Sequence, residues 1–159
     1  DAGISYIKNV LEATRTLQEH PDDLDARGTI MLGASLSTSS RLGIGKVEQF
    51  AYEIYELEFL PEVLFDSTYR RSLTTIFPRF LRVMGRHHEE EIRKYFLDAF
   101  GFDSSVEDSS HKLTELFASF GVPMYYNGEL SREKVDAVPC QTELSREEVF
   151  EVIKAVVKG

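Results

Sequence analysis

Asp22–Phe80 reads DDLDARGTIMLGASLSTSSRLGIGKVEQFAYEIYELEFLPEVLFDSTYRRSLTTIFPRF, and the spacing of its apolar residues decides the fold class. An aspartate-rich cap, His20-Pro21-Asp22-Asp23, leads into a run of apolar and small residues: Ala26, Ile30, Met31, Leu32, Gly33 and Ala34. Gly43-Ile44-Gly45 then breaks the pattern, and two further stretches follow with apolar residues three and four apart. That is the period of a helix with one buried face, whereas a half-buried strand alternates every second residue.

Outward from this stretch the same period persists, and alternating strand-like runs are nearly absent. The chain is therefore expected to be all-α, a helical bundle forming a single helical domain over 1–159. Helices are predicted over about 3–18, 23–41, 46–59, 67–84, 87–100, 107–120, 131–137 and 145–157. Asp22 or Asp23 suits the cap of the second helix, Asp66 or Ser67 that of the fourth, and Ser145-Arg146-Glu147-Glu148 has the form of a capping box. Gly43, Gly101 and Gly121 stand where helices stop. Pro78 falls inside a helical run, where it removes one backbone donor and bends the axis. Gly28, Gly33, Ala34, Ser35, Ser37 and Ser39 form a row of small residues, suited to a tightly packed central helix or to a ligand-facing wall.

Composition narrows the functional classes. At 159 residues, 42% hydrophobic and 28% charged, the sequence is that of a globular domain able to bury its own core. A net charge of -9 argues against nucleic acid and anionic lipid as partners. The lone Cys140 leaves no internal disulfide, no apolar run is long enough to span a membrane, and the cytoplasm is the expected compartment. The chain opens at Asp1 on a helical pattern that needs a surface to pack against, so it is expected to be part of a longer polypeptide.

Candidate chemistry is sparse. Gly43-Ile44-Gly45 lacks the third glycine, preceding strand and following acid of a dinucleotide fingerprint, and reads as a helix break. His87 and Glu91, four apart, with His88, offer a possible two-ligand metal clip or else a solvated helix start. Glu48, Glu53, Glu56, Glu58 and Glu62 give the third helix an acidic side, which is read as a wet face because no E-x-x-H pair joins it to hold metals in a bundle. Tyr125-Tyr126-Asn127-Gly128 reads as a turn with aromatic ballast, and Cys140 carries no nucleophile signature.

Taken in order, four passages resemble the C-terminal helical domain of the iron-containing (group III) alcohol dehydrogenases, in the butanol dehydrogenase-like branch. They are His20–Arg27 with Met31–Leu36; Arg41-Leu42-Gly43-Ile44-Gly45; Leu73-Thr74-Thr75-Ile76-Phe77-Pro78-Arg79-Phe80; and Leu113–Pro123 followed by Leu144–Val149. The resemblance implies the dehydroquinate synthase-like fold. It also implies an N-terminal nucleotide-binding half, absent from this chain, that binds NAD(P), and a divalent iron or zinc held by one aspartate and three histidines. The aspartate and the first histidine would lie upstream of Asp1. The third ligand would fall near Gln49 or Ala51 and the fourth near Tyr69, and no histidine occurs between His20 and His87. The expectation is a chain whose metal-ligand histidines are missing, inactive alone as an oxidoreductase, with no catalytic, cofactor-binding or metal-ligating residue of its own. The alternative is a non-catalytic interaction or scaffold module that kept the fold, working as a homo-oligomer or with a separate partner.

Overall fold

A computed structural model describes residues 2–37 and 51–158, with the side chains of residues 51–53 left aside. The described residues form eight helices: α1 (Ala2–Glu19), α2 (Leu24–Ser37), α3 (Ala51–Phe65), α4 (Tyr69–Met84), α5 (Glu89–Phe100), α6 (Val106–Ser119), α7 (Arg132–Asp136) and α8 (Arg146–Lys154). The all-α bundle expected from the periodicity is what forms. Among the described residues β-pairing is limited to one parallel bridge, Tyr126 with Val157.

The bundle is built around α4. Ile76, Phe80, Val83 and Met84 are fully or almost fully buried, and α4 packs against α3, α5, α6 and α8. Leu57 and Leu60 of α3, Phe96 of α5, Leu113 of α6 and Val149, Val152 and Ile153 of α8 complete the same core. Pro78 lies inside α4 as expected, and its carbonyl accepts a 2.7 Å hydrogen bond from Ser110 Oγ on α6.

Most helix ends carry the caps expected from the sequence. Asp23 Oδ1 accepts from the Ala26 amide at 2.8 Å, Ser145 and Glu148 form the capping box, and Gly101 and Gly121 take left-handed φ values of 74° and 84°. At α4 the N-cap is Thr68, without a side-chain bond, rather than Asp66 or Ser67. Asp66 instead adopts φ 51° at the turn, a conformation an aspartate tolerates better than most residues. The third helix runs on to Phe65 through Pro61, beyond the expected end at 59. Proline removes one donor, but Leu60 and Pro61 are buried and the packing holds the turn. Gly43 lies outside the described residues.

The second helix is not central. Among the described residues α2 packs on α1 alone, and Leu24, Met31 and Leu32 are 80%, 72% and 61% exposed. Of its two glycines, Gly33 lies in a close approach, where a β-carbon would stand 2.8 Å from the Tyr6 ring, and Gly28 stands in open space.

Candidate functional site

Along α3 the residues Ile54, Leu57, Glu58 and Pro61 recur at three- and four-residue spacing, and all four are buried. Glu58 therefore belongs to the core-facing stripe and is only 2% exposed. The wet-face reading fails at this residue. The signal was present in the sequence: Glu58 follows Ile54 by four residues and precedes Pro61 by three.

Four titratable groups meet here, at the junction of α3 and α4. Glu58 and Glu62 stand one turn apart on α3, and burial, then the neighbouring Glu62, pushes Glu58 up to about 7. Tyr69, the first residue of α4, neighbours Tyr55 of α3, and burial followed by Tyr55, Glu58 and Glu62 raises its phenol above the usual value. Glu58 Oε2 and Glu62 Oε1 are buried without a hydrogen-bond partner. Tyr55 also lines an apolar cleft of about 310 Å³ with Ile54, Leu73, Thr74, Phe77 and Phe117. A second cleft of about 340 Å³, walled by Phe80, Leu81, Ile92 and Tyr95, shares Ile54 and Phe77 with it.

The expected positions are thus partly brought together. Tyr69 sits in the cluster, and the residue that meets it from α3 is Tyr55. Ala51 begins α3 one turn earlier, and Gln49 lies outside the described residues, as does Gly43-Ile44-Gly45. Two phenols and two carboxyl groups, one of them Glu58 held up to about 7, bring no imidazole or thiolate to this junction and do not fit iron or zinc, which take imidazole, thiolate or carboxylate donors in threes and fours. Among the described residues no three His, Cys, Asp or Glu side chains converge on one point.

The histidine pair does not form a clip. α5 begins at Glu89, so His87 precedes the helix, and its Nε2 bonds Glu148 Oε1 at 2.8 Å while His88 Nε2 bonds Glu143 Oε1 at 2.9 Å. With Arg82 and Arg86, which both reach Glu151, these residues form a basic corner fastened to the acidic side of α8.

Tyr125-Tyr126 is more than ballast. Tyr126 is 2% exposed, stacks on Phe65 at 4.8 Å, and shares hydroxyl contacts with Ser67 Oγ at 2.8 Å and Thr75 Oγ1 at 3.1 Å. Arg71 lies 4.4 Å over its ring. Arg79, 5% exposed, donates to the Thr75 and Met124 carbonyls, and burial lowers its pKa. Cys140 is half-buried, with a thiol raised by burial, away from the thiolate a nucleophile needs.

The arrangement of helices has a solved counterpart. NADH-dependent butanol dehydrogenase A from Thermotoga maritima superposes with a TM-score of 0.76 over 98% of this chain, at 18% sequence identity. The fold is that of the helical domain of the iron-type alcohol dehydrogenases. The chain spans 45% of the length of that protein, so it resembles one part of a larger molecule. No family model and no curated protein matches the sequence. No helix of the described residues is long and apolar enough to cross a membrane.

Proposed function

We propose that this chain is the helical half of an iron-alcohol-dehydrogenase-like oxidoreductase whose metal-ligand histidines are missing, and that it does not alone carry out metal-dependent dehydrogenation. The observation that carries the reading is Tyr69. The sequence resemblance puts a ligand there, and the residue present is a phenol that neighbours Tyr55, Glu58 and Glu62. In the resembled enzymes a divalent ion polarises the alcohol or carbonyl oxygen while nicotinamide exchanges hydride with carbon. Here one phenol, Tyr55, lines an apolar cleft, a setting that orients a small, mostly apolar molecule by a single hydrogen bond. A nucleotide-binding half would supply NAD(P). Binding of NADH by the longest natural polypeptide, followed by nicotinamide fluorescence, is the expected result. No binding at millimolar nucleotide would sink the oxidoreductase reading.

A second reading, a non-catalytic interaction module in the cytoplasm, is favoured by one feature. Tyr55, Phe59 and Val63, at four-residue spacing on α3, are 46%, 53% and 66% exposed, beside Tyr69 at 47%. Contiguous exposed apolar side chains mark surfaces that are covered in use. A discrete oligomer of this chain in light scattering would favour the module, and progressive aggregation would favour a half that has lost its other domain.

A further inference from the structure

The α1–α2 hairpin meets the rest of the bundle along a seam that its side chains do not fill. Among the described residues none from α1 or α2 belongs to the buried core, which begins at Ile54. α1 packs on α2 and, across the seam, on α5. Gln18 Nε2 adds a hydrogen bond of 2.6 Å to the Ser119 carbonyl at the end of α6. Between these contacts lies a cleft of about 470 Å³, bounded by α1, the end of α5 and α6.

The two sides of this cleft differ in chemistry. One is carbon: Phe100 and Phe102, stacked with ring centroids 5.7 Å apart, and Leu116 of α6. Leu11 lines the cleft from α1, and all four residues are half-buried. The α1 side is also cationic. Lys8 and Arg15 are about two turns apart, so both project on the same side of the helix as Leu11. Both are exposed, and neither donates a hydrogen bond or joins an ion pair with a described residue. Glu12 is the one acid among the described lining residues, and Asp98, near Lys8, is bonded to Lys94 at 2.6 Å. A carbon floor beside two uncommitted cations suits an amphiphile with an anionic head: burial of the chain supplies affinity, and the cations select the head.

We propose that the seam between α1, α5 and α6 binds a medium-chain aliphatic carboxylate, with its chain against Phe100, Phe102 and Leu116 and its head at Lys8 or Arg15, and that the bound molecule fastens the α1–α2 hairpin to the bundle. The inference stands whether or not the oxidoreductase reading holds, because this cleft and the one lined by Tyr55 share no described residue. A guanidinium offers a carboxylate two parallel N–H donors, and an alcohol of the same chain length lacks the charge and the second oxygen to use them. A chain filling the seam adds apolar contact to α1, so the hairpin opens less often.

Octanoate and octanol, at equal concentrations and neutral pH, are the probes. Octanoate is expected to raise the Tm of the chain by about 4 °C at saturation, and octanol by less than about 1 °C. In the double variant Lys8→Gln with Arg15→Gln the octanoate shift falls to that of octanol. Both side chains are exposed, so the double variant without ligand melts with wild type. An octanoate shift that survives the double substitution, equal shifts from the two probes, or no shift from either would overturn the proposal. Amide exchange of the wild-type chain locates the site: octanoate is expected to slow exchange across α1 and at Phe102, and slowing confined to α3 and α4, around Ile54 and Phe77, refutes it.

Discussion

Tyr69 opens α4 next to Tyr55 of α3, so two phenols stand at the helix junction where imidazoles would be needed to hold an ion. Replacing both by histidine would place two neutral nitrogen donors beside Glu62, three ligands in all. We expect the double variant Tyr55→His with Tyr69→His to gain several degrees in Tm from saturating zinc, and each single variant to gain almost none. Differential scanning fluorimetry with and without zinc reads this directly. An equal response from wild type would mean that the phenols are not what keeps metal out.

Gly85 ends α4 against the first turn of α6, and a β-carbon added there would stand 2.5 Å from Val106 Cγ1. Both residues are buried, so neither helix end can move aside freely. Gly85→Ala is expected to destabilise the chain by about 1–3 kcal/mol in urea unfolding. Trimming the valine as well, with Val106→Ala, should restore part of that loss.

Glu151 of α8 receives Arg86 through both carboxylate oxygens, at 2.8 and 2.7 Å, and Arg82 at 2.9 Å. Removing its charge leaves the half-buried Arg82, whose Nε lacks a partner, with only the longer 3.3 Å contact to Glu107. Glu151→Gln should lower stability by about 1–2 kcal/mol, more than a typical exposed ion pair contributes, and molar salt should shrink the difference. A denaturation series at two salt concentrations would show it.

Tyr126 ties the segment before α7 to both the α3–α4 turn and α4, through Ser67 and Thr75. Tyr126→Phe keeps the stack on Phe65 and the Arg71 contact but leaves two hydroxyls without their buried partner. A loss of about 1–2 kcal/mol is expected, with faster exchange of the Tyr126 amide, which donates to the Val156 carbonyl.

The helices were legible because burial repeats with the helical period, and the ends were legible wherever a cap acts on its own neighbours, as at Asp23, Gly101 and Ser145. Thr68 escaped notice because its side chain makes no capping bond. Whether Gly33 serves a central or a peripheral helix depends on which element covers it, and that is a tertiary fact. The candidate site was half visible. Tyr69 could be placed by counting back from Pro78, while Glu58 was hidden among four other glutamates of the same stretch. Only the row Ile54, Leu57, Glu58, Pro61 betrays that its carboxyl points inward. The meeting of Tyr55 with Tyr69 needs the angle between two helices, which no spacing rule supplies.

The most direct test of the central claim is the metal content of the longest natural polypeptide, purified from its own cells without chelators and measured by plasma mass spectrometry. The account predicts iron and zinc far below one ion per chain, in a protein that still binds NADH. One tightly held iron or zinc per chain, lost together with hydride transfer on chelation, would contradict it.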